Sequence, residues 1–340
     1  MQKRGFMVLA GLTLVLTVWA IWSVSGKDPA VGRAIPGQRA VPALGPKLSD
    51  LAWIRLSHGP TKANFAQIGG RWSVVEKGNY PAAAGKVKQM LLALADLRLV
   101  EAKTERPELF ARLALDDPSN GKSTQVTLQD RTGATVAELI VGKRRYDRLG
   151  GGNDAVYVRR PGEDRAWLAG GSLDLAGDVI SWLDRRIVDI PDKRIASVKF
   201  TGEDGATLTL SRTAPEEDFT VVDAPPDTHF KAPPLIAELA AALENFDLED
   251  VKPAAELPVP DRGVATASFT TFDGLTVEVF VFERDNANWA AFDASGSGAS
   301  EAEGKAITAR AARWTYAIPA GKAKRLRTKL SDLIDAPKGS

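Results

Sequence analysis

One stretch of this chain is written twice. Residues 71–103, RWSVVEKGNYPAAAGKVKQMLLALADLRLVEAK, read as a strand carrying Trp72 and Val74, a turn at Gly78-Asn79 and a helix opened by Pro81. Val87, Met90, Leu91, Leu94 and Leu97 recur at helical spacing and give that helix one apolar face. Residues 218–252, DFTVVDAPPDTHFKAPPLIAELAAALENFDLEDVK, repeat the order. Phe219 takes the place of Trp72, Pro233-Pro234 opens the helix, and Leu235, Leu239, Leu243 and Phe246 form the stripe. A chain written this way is expected to fold as two like units.

The flanking residues extend the match. Residues 51–57 and 195–200 read as opening strands, and residues 65–68 and 72–75 as strands that follow short turns. A hairpin at 124–144 aligns on residues 265–284, with Gly274 over Gly133. Strands at 155–159 and 165–169 answer to 289–292 and 313–318. A helix is expected over 173–183, matched by one over 322–334, and residues 186–190 close the first unit as a strand. Residues 295–304, a run of Ser, Gly, Ala and Glu, read as a mobile insertion. Because most connections are short, the sheets should be largely antiparallel, and the fold class is α+β.

Ahead of these units, residues 6–24, FMVLAGLTLVLTVWAIWSV, carry no charge. As a helix this run spans ~28 Å, close to the thickness of a bilayer's hydrocarbon. Trp19 and Trp22 fall at its far end, where indoles favour the headgroups. The run exceeds the usual core of a cleaved signal peptide, so it reads as an uncleaved transmembrane helix. Lys3 and Arg4 before it favour a cytoplasmic N-terminus and an extracytoplasmic, periplasmic body. The expected layout is an anchor over 1–26, a Pro/Gly-rich tether over 27–47, a first repeat over 48–190 and a second over 191–340.

Composition narrows the chemistry. With no cysteine there is no disulfide frame, thiol nucleophile or cysteine-bound zinc. The net charge of +1 provides no field for nucleic acid. The only histidines are His58 and His229, each beside a loop and neither near a G-x-S-x-G elbow, so both read as loop or packing residues. Gly121-Lys122-Ser123 lacks the glycine that a phosphate-binding loop needs five residues earlier, where Asp116 stands. Asp116, Asp117 and Asn120 fail as a calcium loop, because Pro118 holds a ligand position and no glutamate closes it. Trp53, Trp72, Trp167 and Trp314 lie in strands and read as core. No catalytic, cofactor-binding or metal-ligating set emerges. The most functional-looking segment is the loop carrying Arg144, Arg145, Tyr146 and Arg148 before a glycine run, since Arg and Tyr are enriched where partners bind.

The tandem layout, LALDDP at 113–118 before a hairpin and WLDRRIVDIP at 182–191 before a new strand resemble the domain-of-unknown-function 4340 family of bacterial envelope proteins. The second unit has no clear copy of LALDDP. The resemblance implies a single-pass inner-membrane protein, often encoded beside ABC-type export components, and no established activity. The expected function is therefore a non-enzymatic accessory or interaction subunit of an ABC-type envelope export system. Its partners would be the bilayer, through residues 6–24, and transporter subunits. The alternatives are a domain that binds an envelope glycan or small ligand, and an unrecognised hydrolase. An export-dependent reporter such as alkaline phosphatase, fused after Ser340, should be active in intact cells; activity of a cytoplasm-only reporter there would reverse the topology.

Overall fold

The computed structural model describes residues 36–119, 122–146, 154–175, 178–222, 224, 228, 230 and 233–334. The apolar run at 6–24 lies outside the described residues. No helix among those described is long and apolar enough to cross a membrane.

Two antiparallel sheets and a few helices make up the fold. The first unit comprises β1 (Leu51–His58), β2 (Thr61–Ile68), β3 (Arg71–Val74), β4 (Tyr80–Pro81), helix α1 (Ala84–Asp96), β5 (Arg98–Ala102), β6 (Thr124–Asp130), β7 (Thr135–Arg145), β8 (Ala155–Arg159) and β9 (Ala166–Gly170). Their order in the sheet is β4-β3-β2-β1-β6-β7-β8-β9-β5. A strand β10 (Arg186–Val188) leads into β11 (Ile195–Thr201), β12 (Thr207–Ser211), β13 (Thr220–Val222) and helix α2 (Pro233–Ala240). Next come β14 (Phe246–Asp247), β15 (Asp250–Pro253), β16 (Ala265–Thr271), β17 (Leu275–Arg284), β18 (Ala287–Gly296), helix α3 (Glu301–Ala311), β19 (Trp314–Ala317) and helix α4 (Ala320–Leu326). The second sheet runs β13-β12-β11-β16-β17-β18-β19-β15, and β10 pairs β14 apart from it.

From β3 and β13 onward the two orders correspond strand for strand. The central hairpins turn alike, with Gly133 at φ 84° and Gly274 at φ 87°, a left-handed geometry that suits glycine. Alternation sets the inner face: Val198, Phe200, Leu208, Leu210, Phe269, Val277 and Val279 are buried, while hydroxylic residues such as Thr209 and Ser268 alternate outward.

Several elements depart from the sequence reading. Pro81 ends β4, and α1 begins at Ala84. The second helix stops at Ala240; a 3-10 turn and Asn245, at φ 46°, break it before β14. Of the helix expected over 173–183, the described residues form only a 3-10 turn at Val179–Trp182. Leu173 and Leu175 are buried on either side of exposed Asp174, which is strand-like alternation. The helix expected over 322–334 is two short ones, Ala320–Leu326 and Leu330–Leu333, broken at Lys329, whose backbone is extended. Trp167 and Trp314 are buried, but Trp53 stands 39% exposed on the outer face.

The described part of the tether, residues 36–47, is packed. Ala40 and Leu44 are fully buried. The Gly37 N–H donates to the Leu99 carbonyl at 2.6 Å, and that of Ala40 to Leu97 at 2.7 Å. The folded body therefore begins before residue 48. In the same way β10, assigned from sequence to the end of the first unit, pairs with β14 of the second, so that boundary moves ahead of residue 186.

Residues 295–304 are ordered structure as well: they end β18, pass through a 3-10 turn and open α3. β18 is paired with β19 only at Trp289 and Ala290, and α3 lies along the edge that remains. There Thr308 accepts the Ala294 N–H at 2.9 Å and donates to the Ala294 carbonyl at 2.7 Å. A free strand edge invites mispairing, and this helix closes it. The start of α3 is held by Arg194, which grips Glu303 through both nitrogens at 3.0 and 2.8 Å and Asp273 at 2.8 Å.

The two units share one continuous core. At the seam the Tyr80 ring stands edge-on to Trp314 at 5.0 Å and to Tyr316 at 6.2 Å, and its hydroxyl donates to the Asp184 carbonyl at 3.0 Å. Burial pushes both tyrosine hydroxyls well above their ordinary range. Lys77 pairs with Asp250 across the seam at 2.6 Å.

Asp273 supplies an acid-sensitive tie. The Thr271 hydroxyl first, and Arg194 after it, pull its carboxyl down to about 2. Its folded value lies below the unfolded one, so its contribution is whole above the ordinary carboxylate range. That contribution is lost as pH falls toward about 2. The stability gap between the parent and Asp273→Asn should therefore shrink between pH ~5 and ~2 in urea titrations. An unchanged gap would mean that Asp273 does not titrate in that window.

Candidate functional site

Strand β7 outruns its neighbours, and at its end the ladder slips. Its register with β8 shifts between Val141 and Arg144. The cause is a close approach: a Cβ on Gly142 would lie 2.3 Å from the Leu113 carbonyl oxygen and 2.6 Å from that of Ala114. Only glycine lets the strand pass this 3-10 segment (Pro107–Leu113), which ends in left-handed Ala114. Lys143 ties the same place by donating to the Arg112 carbonyl at 2.8 Å. The bulge re-aims the end of the strand, from Arg144 onward.

Arg144 and Tyr146 thereby come to line a groove of about 500 Å³. Val141, Leu173 and Leu175 form its apolar part. His58 and Thr61 come from the β1–β2 turn, Lys122 and Thr124 from the start of β6, and Asp178 from the segment after β9. Of the four residues singled out on this loop, Arg144 and Tyr146 are brought to the groove. Arg145 is exposed beside them, and Arg148 lies outside the described residues, as does His229.

Polar contacts fix the walls. Arg144 pairs with Asp174 at 2.7 Å and reaches the Tyr146 hydroxyl at 3.4 Å. The His58 Nδ1 lies 2.9 Å from the Ser123 carbonyl and donates to it, since a carbonyl oxygen only accepts. Ser123, fully buried, donates its hydroxyl to the Asp116 carbonyl at 2.8 Å. Asp178 caps the turn at Val179–Trp182, accepting the Ser181 N–H at 2.9 Å. Behind it the Lys86 amine donates to the Ser181 carbonyl at 3.0 Å and sits 4.2 Å over the Trp182 ring; burial pulls it below the usual lysine range.

The second unit has no such connection. There β17 and β18 are joined by Asp285 and Asn286 alone, at φ 54° and 59°, a two-residue turn of the primed type. The first unit uses residues 146–154 between the equivalent strands. His58, Lys122, Leu173, Leu175 and Asp178 converge only in space, and no spacing in the chain marks them. The unequal length of the two matched connections was the one sign in the sequence.

Among the described residues no cluster of His, Asp or Glu could hold a metal ion. Gly142→Ala should lower stability by roughly 1–3 kcal/mol, because backbone would have to move. Gly85→Ala in α1, where an added Cβ meets nothing, should leave it unchanged or raise it. Equal melting of both variants by circular dichroism would remove the argument for the bulge.

No characterised protein and no solved structure matches the chain significantly. Residues 72–261 match the family described as domain of unknown function (DUF4340). That span covers more than half of the chain and runs from β3 in the first sheet to the segment before β16 in the second, and the protein belongs to that family.

Proposed function

We propose that this protein is a non-enzymatic interaction module, built by duplication of one α+β unit. It is held by residues 6–24 on the outer face of the inner membrane and serves as an accessory subunit of an ABC-type envelope export system. The duplication reading rests on the twice-written stretch and on the strand-for-strand sheet orders. The anchor rests on the length and neutrality of the apolar run. The link to export rests on the family.

The observation that carries the interaction role is the pair of unequal connections. Two residues suffice to join β17 to β18, yet nine stand between β7 and β8, beginning at Tyr146. A long connection on a rigid sheet, carrying Arg and Tyr, is where binding residues concentrate. Arg145 and Tyr146 are exposed there, with Tyr146 63% accessible. A membrane tether favours a partner in the same membrane, because it raises the effective concentration at that partner. The groove beside Tyr146 favours a second reading, a small-ligand domain, since its volume lies in the range of small-molecule sites.

Photocrosslinking decides between these. A photoreactive residue replacing Tyr146 in the full-length protein should capture an integral membrane transporter component in cells. The same residue replacing Thr209, on the outer face of the second sheet, should not. Identical adducts from both positions, or none from Tyr146, would overturn the contact assignment.

A further inference from the structure

The chain enters its folded body at an edge where two arginines crowd. Arg39 and Arg98 face each other across an antiparallel bridge. The Ala40 N–H donates to the Leu97 carbonyl and the Leu99 N–H to that of Gln38, so Arg39 and Arg98 are the pair that exchanges no hydrogen bonds. In that register the Cα atoms lie ~4.5 Å apart and the side chains leave on one face, so like charges repel. One acid answers the two guanidinium groups: Asp96 lies 3.5 Å from Arg39. Arg98 has no ion pair among the described residues, and its side chain donates to the Gly37 carbonyl at 3.3 Å. Farther along, Lys103 holds Glu101 at 2.6 Å, and Arg160 holds Glu163 at 3.2 Å. Asp154 alternates onto the opposite face, because Gly170 aligns Arg98 with Ala155 and the Gly171 N–H continues the ladder to the Asp154 carbonyl. Val100 stands beside the arginines, 55% exposed, with a methyl 3.1 Å from where a Cβ on Gly170 would lie.

Position in the chain decides what reaches this edge. The Gly37 N–H donates to the Leu99 carbonyl, so the chain arrives alongside Val100. Residues 25–35 alone separate the apolar run from Pro36, the first described residue. A segment of that length spans under ~40 Å even when fully extended. It carries Lys27 and Arg33 against Asp28 and so brings no net acid. We infer that this edge rests on the bilayer that holds the anchor, with Arg39 and Arg98 on the phosphate of an anionic phospholipid and Val100 among the headgroups. A phosphate between the two guanidinium groups relieves their repulsion, and each can meet it through paired hydrogen bonds. Val100 gives up its exposed surface to the same contact. The inference rests on residues 6–24 being an anchor, and it adds which edge of the body turns to the membrane.

The chain has no cysteine, so Val100→Cys accepts a single fluorescent label. The full-length protein is placed in nanodiscs of phosphatidylcholine with or without phosphatidylglycerol. A nitroxide on a trace of the phosphatidylcholine headgroups quenches the label when the edge docks. Quenching should be strong with phosphatidylglycerol, weak without it, and should fall at high salt. Arg98→Gln should move the docked-to-free ratio about fivefold toward free, the worth of one arginine at an anionic surface, and Arg98→Lys should keep most of the docking. The same label at Thr209→Cys should be quenched less in every disc. Protein that does not enter the discs overturns the anchor reading and this contact with it. Protein that enters, yet is quenched at Val100 no more with phosphatidylglycerol than without, or no more than at Thr209, overturns the contact alone.

Discussion

Each unit closes because a short helix must join opposite edges of a wide sheet. In the first unit α1 leaves from β4 at one edge and delivers β5 to the other, beside β9. Nine strands laid flat would span ~38 Å, since neighbours lie ~4.8 Å apart. The 13 residues of α1 span only ~20 Å. The sheet therefore curls round its helix, and twist makes the curl natural. Val87, Met90, Leu91 and Leu94 fill the concave side. The closure is pinned by backbone: the incoming segment at residues 37–40 bonds to Leu97 and Leu99, directly after α1. In the second unit β10 pairs β14, directly after α2 and its 3-10 turn, and the Leu248 N–H donates to the Arg185 carbonyl at 2.9 Å. In both cases the chain's way in is bonded to the helix's way out.

That arrangement explains why the units do not behave as beads on a string. The stretch that closes the second unit, β10, is also the exit of the first. Tyr80, near the end of the strand that feeds α1, is clamped between Trp314 and Tyr316 of β19. Gly78 comes so close to Pro253 that a Cβ there would lie 2.5 Å from its ring. A buried tyrosine hydroxyl is tolerable only with a partner, and Asp184 provides one from the linker between units. Movement of one unit against the other would break these contacts together.

Much of this was legible in the residues. Alternation marked the strands, the repeated stretch marked the helices, and Gly133 and Gly274 marked matching turns. The failures share a physical origin. Residues 173–183 carry apolar side chains at spacings that fit either period, and Leu173 and Leu175 took the extended one. Residues 301–311 are rich in Ala, Glu, Lys and Arg, all good helix formers, but the preceding Ser/Gly run masked that propensity. Gly296 and Gly304 were read as signs of mobility. In fact a Cβ on Gly296 would lie 2.1 Å from the Ser300 carbonyl oxygen, so these glycines allow tight packing. β5 and β15 are four or five residues long and follow helix or turn without punctuation, so nothing local announced them. Of the groove only Arg144 and Tyr146 were marked in the sequence, because its walls come from four separated segments.

The same sheet order has been extended at different places in the two units. In the second unit the long connection lies between β18 and β19, and it folds as α3. One face of it is spent inside the protein: Thr308 on the β18 edge, Glu303 on Arg194, Ile307 and Ala311 in the core. It repairs an edge that a ten-residue β18 and a four-residue β19 leave open. In the first unit β8 and β9 are equal in length, and no such edge needs cover. There the extension lies between β7 and β8, and Arg145 and Tyr146 at its start face solvent rather than core. An insertion that seals an edge has a structural reason to exist. Arg145 and Tyr146 stand exposed at the start of the other, which agrees with the interaction role proposed for it.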